Sequence, residues 1–210
     1  MKPGLFIRTL ALLAVLFMLI YPCRATLLTF DDLPLNTGTA SFLPSSYQGL
    51  TWSNFAGVNA ILYTAVHGSN GYYNGMVSVS NVALNAFGDP AEIDSFTSFN
   101  FLSACLTGGW SSNLNILVQG FSGATALYST TVVASATSPT LFSFNYLNVD
   151  RIAFNAFGGQ DAGFPVAQGL GGSNFAMDNF TFEFVPEPST LLLAALGALT
   201  LWPLLKRRRA

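Results

Sequence analysis

The middle of this chain predicts an all-β fold, a single two-layer β-sandwich, set between two hydrophobic ends. Three observations carry that expectation. Apolar and polar residues alternate with period two, most clearly in Asn179-Phe-Thr-Phe-Glu-Phe184, where Phe180, Phe182 and Phe184 face one way and Asn179, Thr181 and Glu183 the other. No window of a dozen residues in the same region carries a helical apolar stripe. Clusters of Gly, Asn, Ser and Pro at 33–38, 68–71, 107–109 and 169–173 punctuate the alternation as turns do.

Taken in order, the first element is not part of that domain. Lys2 and Arg8 precede an apolar run at 9–20, and the small residues Cys23 and Ala25 close the segment. A run of about a dozen residues is too short for a hydrocarbon layer that needs roughly 20, so residues 1–25 read as a secretory signal peptide. The Sec machinery would then receive the chain, and signal peptidase would cut after Ala25 to leave Thr26 as the new N-terminus. Acylation of Cys23 is the alternative, against which Pro22 stands where a small residue should precede a lipidated cysteine.

The domain, 26–184, follows. Leu27–Phe30, Leu50–Phe55, Met76–Val79, Ser95–Phe101, Leu114–Gln119, Ala126–Val133, Thr140–Tyr146, Val149–Asn155 and Asn179–Phe184 read as strands, nine in all. Many short strands with phenylalanine-rich inner faces point to a jelly roll of the galactose-binding-like kind, with a closed barrel as the second choice. About 160 residues can bury a sufficient core without staples. Removal of Cys23 would leave Cys105 alone, so no intramolecular disulfide is expected. The stretch 158–174 reads as the longest loop and a natural binding loop.

The last element is again an address. Val185-Pro-Glu-Pro-Ser-Thr190 leads into an apolar segment, and Ser189 to Leu205 is just long enough for a transmembrane helix. Lys206, Arg207, Arg208 and Arg209 hold that end in the cytoplasm, as Lys2 and Arg8 hold the other, which places 26–188 on the far side of the membrane. Composition, order and spacing over 185–210 resemble the PEP-CTERM sorting signal. The resemblance implies that an exosortase recognises Pro186, Glu187 and Pro188, cleaves near them and discards the tail with Arg207, Arg208 and Arg209. The two prolines favour the extended backbone a protease cleft needs. The plain alternative is a tail anchor with a proline-rich linker.

Between Thr26 and Val185 the acids are Asp31, Asp32, Asp89, Glu92, Asp94, Asp150, Asp161, Asp178 and Glu183, and Arg151 is the only Lys or Arg, a formal charge of −8. Such a surface repels phosphate backbones and acidic polysaccharide, so nucleic acid is excluded as a partner and neutral glycans, cations and proteins remain.

Few residues are equipped for chemistry. Asp31 and Asp32 end the first predicted strand and Asp178 opens the last; adjacent strands would bring the three into one corner, where a structural Ca²⁺ is the expected neutraliser. The alternative makes Asp31 and Asp32 turn formers and Asp178 an acceptor for backbone amides. Glu92 and Asp94 share a strand face and could form a glycosidase pair, against the simpler reading of a solvated acidic loop. His67 lacks a second ligand or a triad partner, Cys105 sits in an apolar strand without a base, and Arg151 reads as a structural bridge between carboxylates. Tyr72, Tyr73 and Trp110 lie beside glycines and could present flat faces to a sugar, with Asn70, Asn74 and Asn113 as hydroxyl partners; packing into the core is the alternative.

The segments Leu28-Thr-Phe-Asp-Asp32, Gly49-Leu-Thr-Trp-Ser-Asn-Phe55 and Phe175-Ala-Met-Asp-Asn-Phe180 also resemble central regions of other PEP-CTERM proteins, a likeness that implies no activity. The expected protein is exported, passes through the inner membrane, and ends at the cell surface or in the extracellular matrix as a non-catalytic, glycan- or matrix-interacting module for exopolysaccharide. A polysaccharide-acting enzyme using Glu92 and Asp94 or the Asp161 region, and a purely structural coat protein, are the competing classes.

Overall fold

The computed structural model describes residues 24–165 and 172–185. Nearly all of the expected signal peptide, the expected span 189–205, the sorting residues Pro186, Glu187, Pro188, Arg207, Arg208 and Arg209, and part of the expected binding loop lie outside the described residues. One compact unit runs Ala25–Val185 and holds its apolar core within itself, as an independent domain does.

Its elements are β1 (Thr26–Leu28), β2 (Ser41–Phe42), β3 (Ser46–Tyr47), β4 (Leu50–Ser53), β5 (Phe55–Asn59), α1 (Ala60–His67), α2 (Gly71–Asn74), β6 (Asn81–Asn85), β7 (Ala91–Gly108), β8 (Ser111–Ser112), β9 (Leu114–Ser122), β10 (Thr125–Ala134), β11 (Thr140–Phe157), β12 (Gln160–Asp161) and β13 (Phe175–Phe184). All of the strand pairings are antiparallel.

The domain is a β-sandwich, but its layers are joined. β7 and β11, 18 residues each, pass from one layer into the other. The first layer runs β10, β9, the second half of β11, the start of β7, β4 and β3; the second runs the first half of β11, the rest of β7, β13 and then β6, β5 and β2, with β1 also on β13. Register shifts between Ser143 and Arg151, with Asn145 and Asn148 at φ 52° and 56°, turn β11 without ending it, as bulges at sandwich corners do. This is why the two strands predicted at 140–146 and 149–155 are one.

Trp52 is central to the core. Its ring lies 5.7 Å from Phe30, 5.2 Å from Phe55 and 5.7 Å from Phe180, all near-perpendicular contacts that aromatic quadrupoles favour. Segments 28–32, 49–55 and 175–180 meet here. From the first layer Phe154 reaches Phe55, Phe101 and Phe175 of the second at 5.7–6.2 Å.

Three local expectations change. Leu50–Phe55 divides at Asn54, whose φ of 57° kinks the chain between β4 and β5. Met76–Val79 is not a strand: the Val77 and Ser78 amides are taken by the buried Asp178 carboxylate, and the Met76 amide donates to the Tyr73 carbonyl. β6 and α1 were not foreseen: β6 is buried at all five positions and so shows no alternation, and α1, only eight residues long, is set by its Asn59 N-cap and by Gly68 at φ 72°.

Candidate functional site

β1 and β13 are neighbours, with Leu28 opposite Phe180, so the ends of the first and last strands do lie together as the sequence predicts. The three carboxylates nevertheless have separate tasks. Asp178 is fully buried and accepts from the backbone amides of Val77 (2.7 Å), Ser78 (2.8 Å) and Asn179 (2.7 Å) and from the Ser78 hydroxyl (3.1 Å). Burial pushes its carboxyl up from the ordinary range, against the pull of these four donors. Asp31 accepts from the Asn81 amide at 2.9 Å, while the Asn81 side chain donates to the carbonyls of Phe30 and Leu33, both at 3.0 Å. Asp31 and Asp178 thus brace the two ends of one segment, 77–81. Asp32 points elsewhere, accepting from the Tyr47 hydroxyl and from Gln48 at 3.0 Å.

This arrangement does not fit a shared Ca²⁺. A hard cation needs six to eight oxygens turned toward one point. Here amide and hydroxyl donors already occupy Asp178, and among the described residues no three His, Cys, Asp or Glu side chains are grouped to hold a metal ion. Hydrogen bonds do the neutralising that the sequence assigned to a metal. Asp32, Tyr47 and Gln48 instead line, with Thr26–Thr29, a cleft of about 200 Å³; burial, then the Asp32 carboxylate, pushes the Tyr47 phenol up.

The aromatic residues form a second centre. Gly71 and Gly108 let α2 and the end of β7 meet backbone to backbone: a Cβ on Gly71 would stand 1.8 Å from the Gly108 carbonyl oxygen. The Gly71 amide donates to Gly109 at 2.8 Å, which brings Tyr72 edge-on to Trp110 at 5.5 Å. Tyr63 of α1 completes the cluster, 5.4 Å from Tyr72 and 6.4 Å from Trp110, with His67 at 4.2 Å from its ring; Phe164 lies 6.5 Å from Trp110. Tyr72 is buried, so it supports this cluster rather than presenting a face to a sugar; burial pushes its phenol up. Tyr73 is exposed, and Tyr63, Trp110 and Phe164 are half-buried. Asn70 is buried as the cap of α2 and is not free to serve hydroxyls, while Asn74 donates to the Ala136 carbonyl at 2.9 Å. Tyr63 and Phe164 were missed because α1 was unforeseen and Phe164 sits within an apparently featureless loop.

The remaining candidates have structural surroundings. Glu92 and Asp94 lie on β7, not in a loop; Arg151 bridges to Glu92 at 3.4 Å and covers the Phe121 ring at 4.2 Å. Burial, then the Glu92 charge, pushes the Asp94 carboxyl up. Asp161 accepts from the Gly163 amide at 2.9 Å. Cys105 is buried on β7, and burial, then the Asp178 charge, pushes its thiol up.

Residues 184–209 match the PEP-CTERM protein-sorting motif. The chain therefore carries the sorting signal of an exosortase-sorted surface protein, which implies export and delivery to the cell surface. No curated protein matches the sequence. Among solved structures, the chain is similar to a DUF4465 family protein from Bacteroides ovatus, with a TM-score of 0.45 and 8% identity over 77% of this chain and 99% of that one. It is also similar to TmCBM61, solved with β-1,4-galactotriose, with a TM-score of 0.34 and 9% identity over 71% of this chain and 100% of that one.

Proposed function

We propose that the mature protein is a non-catalytic surface module, trimmed at both ends, that holds neutral extracellular glycan against the aromatic cluster of Tyr63, Trp110 and Phe164, with the exposed Tyr73 of α2 as a further contact. The geometry of β13 carries this reading. Thr26 pairs with Phe182, so the two ends of the described domain lie side by side. β13 begins at the aromatic cluster, where the Gly109 amide donates to Asn174, and ends ten residues later at Phe184 beside the chain exit. At about 3.3 Å per residue the cluster stands about 30 Å from that end of β13.

The charge supports the same partner class. With nine acids against one Arg, a polyanionic glycan would be repelled, whereas stacking on aromatic faces requires no charge. Among the described residues, Glu92 is held by Arg151 and Cys105 is buried, which supports binding without turnover.

Affinity electrophoresis of residues 26–185 through gels containing neutral or acidic polysaccharides tests the proposal. Retardation by at least one neutral glycan is expected, lost in Trp110→Ala and weakened in Tyr73→Ala, with no glycan shortened. Free migration through every neutral gel would leave the structural coat reading; release of soluble sugar that Glu92→Gln abolishes would establish the enzyme.

A further inference from the structure

We infer that β10 is a self-association edge, through which two copies of this domain join their first layers into one continuous antiparallel sheet. β10 ends the order of the large sheet and pairs, among the described residues, only with β9. After a shift between Ala126 and Tyr128 its register is regular through Ala134, with no proline and no bulge. A long, straight, uncharged edge is a template for another strand, and proteins that need to prevent such pairing place lysines, prolines or bulges there. The contrast with this domain's other edges is direct. β2 and β3 are two residues long, and the first half of β11, the edge of the second layer, is broken by Asn145 and Asn148 in the left-handed region.

Charge identifies the occupant as a second copy. Residues 95–149 contain no Asp, Glu, Lys, Arg or His, although the domain as a whole carries −8. The nearest charges in the sheet, Asp150 and Arg151, sit at the hairpin between β9 and β10, beside Gly123 and Phe121, whereas Tyr128–Ala134 pairs with the uncharged Leu114–Gly120. Two copies meeting at β10 meet neutral surface to neutral surface, which keeps the nine acids of each domain apart. Leu127 and Val133 are exposed on the strand, so the joined edges would also cover apolar side chains. A two-fold axis through the middle of Tyr128–Ala134 places Thr131 against its own copy, and the pairing closes because each β10 edge is consumed.

Light scattering of purified residues 26–185 on a sizing column, at 1–100 µM, tests this. The expected result is a dimer that becomes monomeric on dilution. Thr131→Lys and Thr131→Glu, each placing like charges opposite one another, are expected to be monomers at tenfold higher concentration than wild type with unchanged melting temperature, and an equimolar mixture of the two is expected to restore the dimer. If a position 131 variant melts lower, Ser129→Lys with Val133→Lys, which the same axis sets opposite one another across the seam, takes its place, and mixing with Ser129→Glu and Val133→Glu restores the dimer. A wild type that is monomeric at 100 µM, or a dimer that both charges leave intact, would overturn the inference.

Discussion

Replacing Asp178 tests the structural role assigned to the acidic corner. The carboxylate serves three amides and one hydroxyl from full burial. Asn keeps a single oxygen. Turned toward Val77 and Ser78, it leaves its NH₂ facing the Asn179 amide, so one buried donor loses its acceptor and meets another donor. That costs about 2 kcal/mol, which in a domain of this size lowers the melting temperature by about 4–8 °C. Asp178→Ala orphans all three amides and costs at least about 3 kcal/mol, because each unsatisfied buried donor carries a penalty of about 1–3 kcal/mol. Ser78→Ala removes one hydroxyl and leaves the amides served, at a cost of about 1 kcal/mol. The expected order of melting temperatures at pH 7, measured by calorimetry, is wild type, Ser78→Ala, Asp178→Asn, Asp178→Ala. An Asp178→Asn domain that melts with the wild type would refute the brace.

Three further outcomes follow from the same geometry. Melting at 5 mM Ca²⁺ and at 5 mM EDTA is expected to coincide, and a rise of several degrees in Ca²⁺ would restore the shared-ligand arrangement of Asp31, Asp32 and Asp178. Cys105 is expected to resist a thiol reagent in the folded domain and to react fully in denaturant, since burial removes access and pushes the thiol up; rapid native labelling would contradict its placement. The buried phenols of Tyr47, Tyr72 and Tyr146 are all pushed up by burial, so they stay protonated in the folded state while the unfolded chain begins to ionise near pH 10. Their contribution is intact below pH 10 and falls as pH rises beyond it, by up to about 1.4 kcal/mol per pH unit for each; an alkaline melting series that stays flat to pH 11.5 would contradict their burial.

What the sequence disclosed depended on whether a residue's task left a pattern. Strands with one solvated face, such as Leu114–Ser122, alternate and are visible; β6, covered on both faces, has no alternation to read. The neighbourhood of the first and last strands was legible from Phe30-Asp-Asp32 and Met177-Asp-Asn179. The fate of their carboxylates was not, because the donors come from Val77, Ser78 and Asn81, about fifty residues from Asp31 and a hundred from Asp178. Trp110 and Tyr72 were recognisable as an aromatic resource beside glycines. Which of them faces solvent was settled by the Gly71 and Gly108 contact, a tertiary event with no local signature.

The surface-module reading rests on processing at both ends, and one measurement addresses it directly: intact mass and terminal sequencing of the protein recovered from the surface and medium of its native cells. The expected chain begins at Thr26, just where β1 starts, and ends near Pro186-Glu-Pro188, without the apolar tail. A chain that still carries residues 1–25 and Arg207–Arg209, recovered from the cytosol, would contradict it.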